Sequence, residues 1–203
     1  MFLNFIKQSW LVMVSSLAFG ILVAGVHGGL KDRIEANAQE KLQSQMRLLL
    51  SSATTFETVM DQVTGQAAYY VGKNATGQPV GYMIEASGSG FADIITLLVA
   101  MDASREKLLG IAVLKSNETP GFGDQIKNED KDGKISFKNQ FKGCPTDKKL
   151  MTVKTGRREE TDEKIVAITG ATISSEAVTK IVNEAIIRMK KYIENTDNTD
   201  ATD

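Results

Sequence analysis

Ser9 to Leu30 is an apolar run with no formal charge inside it; its only polar members are Ser9, Ser15, Ser16 and His27. Twenty-two residues at ~1.5 Å each reach roughly 33 Å, enough to cross the hydrocarbon core of a bilayer. The run therefore reads as a transmembrane helix. Trp10 near its front edge fits an interfacial anchor, and Lys7 and Lys31 mark the two ends. A cleavable signal peptide is the rival reading. The length of the apolar part, and the lack of an Ala-x-Ala pattern closing it, favour an uncleaved anchor. Charge does not set the orientation, because Lys7 and the amino terminus stand against Lys31 and Arg33.

Beyond the span, Lys31 to Met60 contains no Gly or Pro, and Ile34, Ala38, Leu42 and Met46 recur every four residues. The spacing predicts an amphipathic helical stalk that continues the membrane helix. After Gly65 the texture changes to short strand-like runs at 67–71, 80–86, 94–101 and 108–114. Turn signals separate them, and connections this short predict an antiparallel meander rather than a parallel sheet. A polar connection follows over 117–132, then weaker strand candidates at 135–137, 150–154 and 165–168. Ala177, Ile181, Ala185 and Met189, flanked by Val178, Val182 and Ile186, predict a helix over Ser174 to about Ile193. The expected class is α+β: an N-terminal transmembrane helix and stalk, then a mostly antiparallel sheet packed with helices. The segments are 1–8 leading in, 9–30 in the membrane, 31–64 as stalk, 65–194 as the domain and 195–203 as a disordered acidic tail.

Composition removes several function classes. Lys and Arg number 24 against 25 Asp and Glu, without a long basic run, so nucleic acid has no electrostatic footprint. The single Cys144 supplies neither a disulfide, a Cys-based zinc site nor a cysteine-ligated iron–sulfur cluster. A single histidine, His27, excludes a His-rich metal site and a Ser-His-Asp triad. No metal is expected, and any redox chemistry must come from an organic cofactor or from other subunits.

Two stretches carry chemistry. In 168–176 a strand-like run ends, Gly170 permits a tight turn, and a helix begins near Ser174. A group on Thr172 sits beside that helix's unpaired N–H groups, which suits a phosphate. A hydroxyl that merely caps the helix is the plainer reading of the same residues. The second stretch is Glu118-Thr119-Pro120-Gly121-Phe122-Gly123-Asp124. Pro120 fixes one backbone angle, while Gly121 and Gly123 allow unusual φ values and leave bare backbone for a flat ring. An ordinary rigid turn explains it equally well in isolation.

Thr169-Gly170-Ala171-Thr172, followed by Ile173-Ser174-Ser175, resembles the flavinylation motif of the FMN-binding domain family. Members include the G subunit of the Rnf complex and the C subunit of the sodium-pumping NADH:quinone reductase. The 118–124 loop is similar to that family's Glu-Thr-Pro-Gly-Leu-Gly loop, and Gly81-Tyr82 with Ser87 to Phe91 resemble its strand opening and glycine-rich bend. The resemblance runs from about Pro79 to Val178. It implies FMN esterified through its phosphate to Thr172 by a dedicated flavin transferase. It also implies cofactor contacts from Glu118, Thr119, Pro120, Gly121, Gly123, Thr169, Gly170 and Ala171. The family pattern places an Asp where this chain has Val166.

The function implied is electron transfer in an Rnf-type, ion-translocating ferredoxin:NAD oxidoreductase. Its partners would be membrane and iron–sulfur subunits, with the flavin domain on the extracytoplasmic side of a single-pass inner-membrane protein. The C subunit of the quinone reductase and an unflavinylated, anchored assembly protein are the alternatives. Lys154, just before Thr155-Gly156, is a further candidate for the phosphate, although 148–158 is broadly basic. Asn128 to Gly133 has half the pattern of a calcium loop, but positions one and twelve fall on Asn128 and Asn139. An Asp132-Gly133 turn is the better reading.

Overall fold

The computed structural model describes residues 2–61 and 64–200. Helix α1 spans Phe2–Leu49. Residues up to Lys41 form one compact unit and those from Leu42 onward a second. The first unit carries the apolar run, the one helix among the described residues long and apolar enough to cross a membrane. Its side chains are exposed, Leu17, Phe19, Ile21 and Leu22 each by more than 60%.

The second unit is built around a five-stranded antiparallel sheet: β1 Thr55–Met60, β2 Ala67–Lys73, β3 Pro79–Ser89, β4 Ile94–Asp102 and β5 Leu108–Lys115, in that spatial order. The meander expected from the spacing of the runs is therefore present, each strand pairing with the next. β1 corrects the expected stalk. The helix ends at Leu49, and Thr55–Met60 pairs as an edge strand with β2. Thr-Phe-Glu-Thr-Val-Met holds two threonines, a valine and a phenylalanine, a strand composition that the lack of Gly and Pro had masked.

Both sheet faces are covered, which is why β4 reads as a nearly unbroken apolar run. Leu97, Val99 and Met101 point into one core with Ile126, Phe137, Phe141 and the apolar stripe of the C-terminal helix. Leu98 and Ala100 point the other way, against Met83, Ala112, Met46 and Leu50. So the i, i+4 stripe of the stalk is used only at its end, by Leu42 and Met46; Ile34 is 57% exposed. Leu50 lies on the paired Gly72 and Gly81, where a Cβ on Gly81 would come within 2.6 Å of the Leu50 side chain.

Between β5 and the C-terminal helix the chain makes an excursion of few regular elements. It contains 3-10 turns at Gly123–Lys127 and Lys138–Phe141 and a small parallel pair, β6 Met151–Val153 with β7 Lys164–Val166. The strand expected at 135–137 is not formed; Phe137 and Phe141 instead bring their rings edge to face across the second 3-10 turn. Asp132 (φ +54°) and Gly133 (φ +72°) make the expected turn. The Asp130 carboxylate is used as a loop brace, accepting the Ser136 N–H at 2.6 Å and the Asn139 amide at 2.9 Å. Helix α2, Thr172–Asp200, packs across the sheet and starts two residues earlier than its apolar pattern indicated. It also continues through 195–200, where a disordered tail was expected; 201–203 lie outside the described residues.

Candidate functional site

The 168–172 segment is set from behind. β7 has no second strand neighbour on its outer side, and the buried Gln140 side chain takes that place. Its Oε1 accepts the Val166 N–H at 2.8 Å and its Nε2 donates to the Val166 carbonyl at 3.1 Å. The Ala167 N–H then donates to the Val153 carbonyl, and Ile168 donates to the Ser175 hydroxyl. After this the chain turns sharply at Gly170, whose φ of +80° an L side chain would strain. A Cβ on Gly170 would also stand 3.2 Å from the Phe122 ring, so the 118–124 loop and the 168–172 turn touch there.

Each hydroxyl at the start of α2 has a different fate. Ser174 Oγ donates to Glu118 at 2.5 Å, and Ser175 Oγ donates to the Ala171 carbonyl. Neither accepts a first-turn N–H, so the capping role open to them in the sequence is not the one they play. The half-buried Thr172 hydroxyl makes no hydrogen bond among the described residues. Thr169 is exposed on the turn. No acceptor among the described residues takes the N–H groups of Thr172, Ile173 and Ser174, which begin the helix and carry its positive dipole end.

Over this turn opens a cavity of about 450 Å³ lined by Phe91, Thr119, Phe122, Gly123, Gly170, Ala171, Thr172, Ile173 and Ser174. No charged side chain lines it. Phe91 and Phe122 are 64% and 54% exposed, and Ile173 is 56% exposed, so three large apolar groups stand in solvent around the hydroxyls of Thr119, Thr172 and Ser174. Exposed apolar groups gathered in one place mark a surface meant to be covered.

Of the ten residues selected from sequence, Thr119, Gly123, Gly170, Ala171 and Thr172 come together in this lining. Pro120 and Gly121 form the exposed outer edge of their loop. Only Gly121 of its two glycines takes the expected unusual backbone angle, φ +79°. Gly123 is required for space, since a Cβ there would meet Ser174 Oγ at 2.6 Å and Glu118 Oε2 at 2.7 Å. Two of the loop's N–H groups, those of Phe122 and Asp124, turn inward to the Thr119 carbonyl. Glu118 is 4% exposed behind the wall of the cavity, with both carboxylate oxygens engaged by the protein. Lys154, one residue beyond β6, is exposed and outside the lining. Phe91, Phe122, Ile173 and Ser174 lie inside the stretches quoted from the sequence, but none was selected there as a contact. Ile173 had a signal: it is apolar yet lies off the buried stripe of α2.

A phosphorylated, flat aromatic group fits these features. The unpaired N–H groups match its anionic end, the apolar rim matches its ring, and the uncommitted Thr172 hydroxyl belongs to the residue that opens the helix. No group of three or more metal-ligating side chains occurs among the described residues.

The comparisons with known proteins agree. A family profile described as an FMN-binding domain matches residues 90–187. The G subunit of the proton-translocating ferredoxin:NAD(+) oxidoreductase complex of Clostridium ljungdahlii is 33% identical over 174 residues, 85% of this chain and 85% of that protein. The G subunit of an ion-translocating oxidoreductase complex of Methanosarcina acetivorans is 28% identical, over 87% of this chain and 89% of that protein. Among solved structures, the C subunit of the Na(+)-translocating NADH-quinone reductase of Parabacteroides distasonis has a TM-score of 0.50 and 25% identity. That similarity covers 61% of this chain and 61% of the other.

Proposed function

The chain belongs to the family of FMN-binding-domain proteins that includes the G subunit of the ion-translocating ferredoxin:NAD(+) oxidoreductases, and from that membership we propose that it carries FMN as a phosphate ester on Thr172. It is an electron-transfer subunit of a membrane-bound, ion-translocating oxidoreductase complex. When bound, the flavin supplies the redox chemistry, and the protein supplies tether, orientation and electrostatics.

The observation that carries the covalent reading is the state of the Thr172 hydroxyl. It is uncommitted among the described residues, lines the cavity, and lies at the unpaired N–H end of α2. Those N–H groups offset the charge of the ester phosphate. Phe91, Phe122 and Ile173 would shield a bound ring from water, and Gly170 lets the backbone turn tightly before Thr172. None of the lining residues is a His, Lys or carboxylate able to take the Thr172 proton. Ester formation is therefore the work of a separate flavin transferase, as the resemblance implies.

In the same reading the membrane span is 9–30 within α1, the flavin domain lies outside the cytoplasm, and iron–sulfur subunits are its electron-transfer neighbours. The apolar helix and the relatives named as subunits of ion-translocating complexes support it. A tether suits that side, where a lost flavin is not replaced.

The decisive measurement is in-gel flavin fluorescence. The full chain, made beside a flavin transferase and denatured, should give a fluorescent band that vanishes in Thr172→Ala. A dark wild-type band sinks the ester reading and leaves an unmodified assembly protein. Recovery from native membranes with a quinone-reductase set of subunits, rather than ferredoxin-type ones, overturns the assignment of complex.

A further inference from the structure

Glu118 is the most heavily bonded buried charge among the described residues, and its contacts surround the cavity without entering it. Oε1 accepts the Ala92 N–H at 3.0 Å and the Asp93 N–H at 3.4 Å; Oε2 accepts the Ser174 hydroxyl at 2.5 Å. Every partner is a donor, the pattern an ionised carboxylate requires. Two glycines make room for it. A Cβ on Gly90 would stand 2.3 Å from Oε1, and one on Gly123 would stand 2.7 Å from Oε2. One carboxylate thus joins the β3–β4 connection that carries Phe91, its own loop that carries Thr119 and Phe122, and the first turn of α2 that carries Thr172.

We infer that Glu118 is a positioning residue that holds these three segments around the cavity and sets the redox poise of the bound group through its fixed negative charge. The inference rests on the flavin reading above. Glu118 is buried and stands behind the cavity lining rather than in it, so its charge acts on a bound group from behind the wall. A negative charge behind the apolar wall raises the cost of placing electrons on a ring in front of it. The Ser174 hydroxyl shares that charge and moderates the effect. Charge and clamp are separable, because Gln keeps the shape and can keep the bonds to Ala92 and Asp93 while removing the charge. Ala removes both.

The test uses the full chain flavinylated in membranes and solubilised, with the flavin equilibrated against a redox dye. Glu118→Gln should keep a flavin band close to wild type, with the reduced-to-oxidised ratio at a fixed dye poise raised about tenfold. Ser174→Ala, which leaves the charge and removes the hydroxyl that shares it, should shift the ratio the opposite way. Glu118→Ala should lower the band several-fold, as the three segments come apart. A merely structural residue would not give opposite signs in the first two variants. Shifts of the same sign in both, or an unchanged ratio in Glu118→Gln, overturn the inference while the wild-type band stands. A wild-type chain without the band overturns the flavin reading and this inference together.

Discussion

The meander from β2 to β5 and the excursion from Ser116 to Ala171 are adjoining stretches of one chain, and they are held by different means. The meander closes its polar groups with its own backbone, strand by strand. The excursion forms one short parallel pair and a series of local backbone turns, and side chains take the place of strand partners at several of its backbone groups. Gln140 stands in for a strand beside Val166, and Asn183 does the same for Leu150, donating to its carbonyl and accepting its N–H, both at 2.9 Å. Asp130 braces the 128–139 loop and Glu118 gathers the cavity walls. A repeating pattern thus builds the scaffold, and single polar residues with no period build the site. Loops that carry function on a rigid sheet are commonly arranged this way.

The largest expected effect comes from breaking the scaffold. Leu98→Ala empties a fully buried position between β4 and the end of α1, and should cost about 3 kcal/mol in denaturant unfolding. The flavin band from the remaining folded protein should stay close to wild type, because Leu98 points away from the cavity face of the sheet. Equal losses of stability and flavin would erase the distinction between the two regions.

Gln140→Leu attacks the excursion instead. It removes both bonds to the Val166 backbone and leaves a buried N–H and carbonyl unmatched, at about 2 kcal/mol. Its flavin yield should fall by more than that of Leu98→Ala, because the bonds lost set the strand that feeds the Thr172 turn. A full flavin band in Gln140→Leu would show that the segment keeps its course without the clamp.

The same division governs what could be read in advance. Strands β2 to β5 and the stripe of α2 were legible because burial on a sheet or helix repeats along the sequence. β1 was not, because Thr55 to Met60 sits in a stretch whose lack of breakers reads as helix, and its partner β2 is what settles it. The 135–137 strand was misassigned for a related reason. Phe137 and Phe141 are spaced for a turn of helix, while the apolar pair Ile135 and Phe137 suggested alternation. At the site, Thr172, Gly170 and the 118–124 loop were found through resemblance to a motif. Physics then divides them, with Thr172 and Gly123 in the lining and Glu118 behind it. Phe91 and Ser174 act only through residues distant in sequence, and no local pattern marks that.

A smaller effect is expected at the β4–β5 hairpin. Burial raises the Asp102 pKa, but hydrogen bonds from the Ser104 hydroxyl and the N–H groups of Lys107, Glu106 and Arg105 outweigh it and hold the group below the usual carboxylate value. A depressed folded value means that its stabilisation is present above about pH 4 and is lost as pH falls through the folded value. Asp102→Asn should therefore cost at most about 1 kcal/mol at pH 7, and less at pH 3, with flavin content unchanged. A larger cost at pH 3 than at pH 7 reverses the sign and refutes the assignment.

The smallest effect is expected at Cys144, which lies within the excursion yet is held like a scaffold residue. Its side chain is fully buried, its thiol donates to the Gln140 carbonyl at 3.1 Å, and burial followed by the charge of Asp162 pushes its pKa up to about 11. At pH 8 only roughly one thiol in a thousand is ionised, so alkylation in the folded chain should be far slower than for an exposed cysteine. Reactivity should appear only on unfolding, at the denaturant concentration where the sheet is lost. Labelling at an earlier step would mean that the excursion opens independently of the meander. The site would then be built on a part of the chain that unfolds without its scaffold.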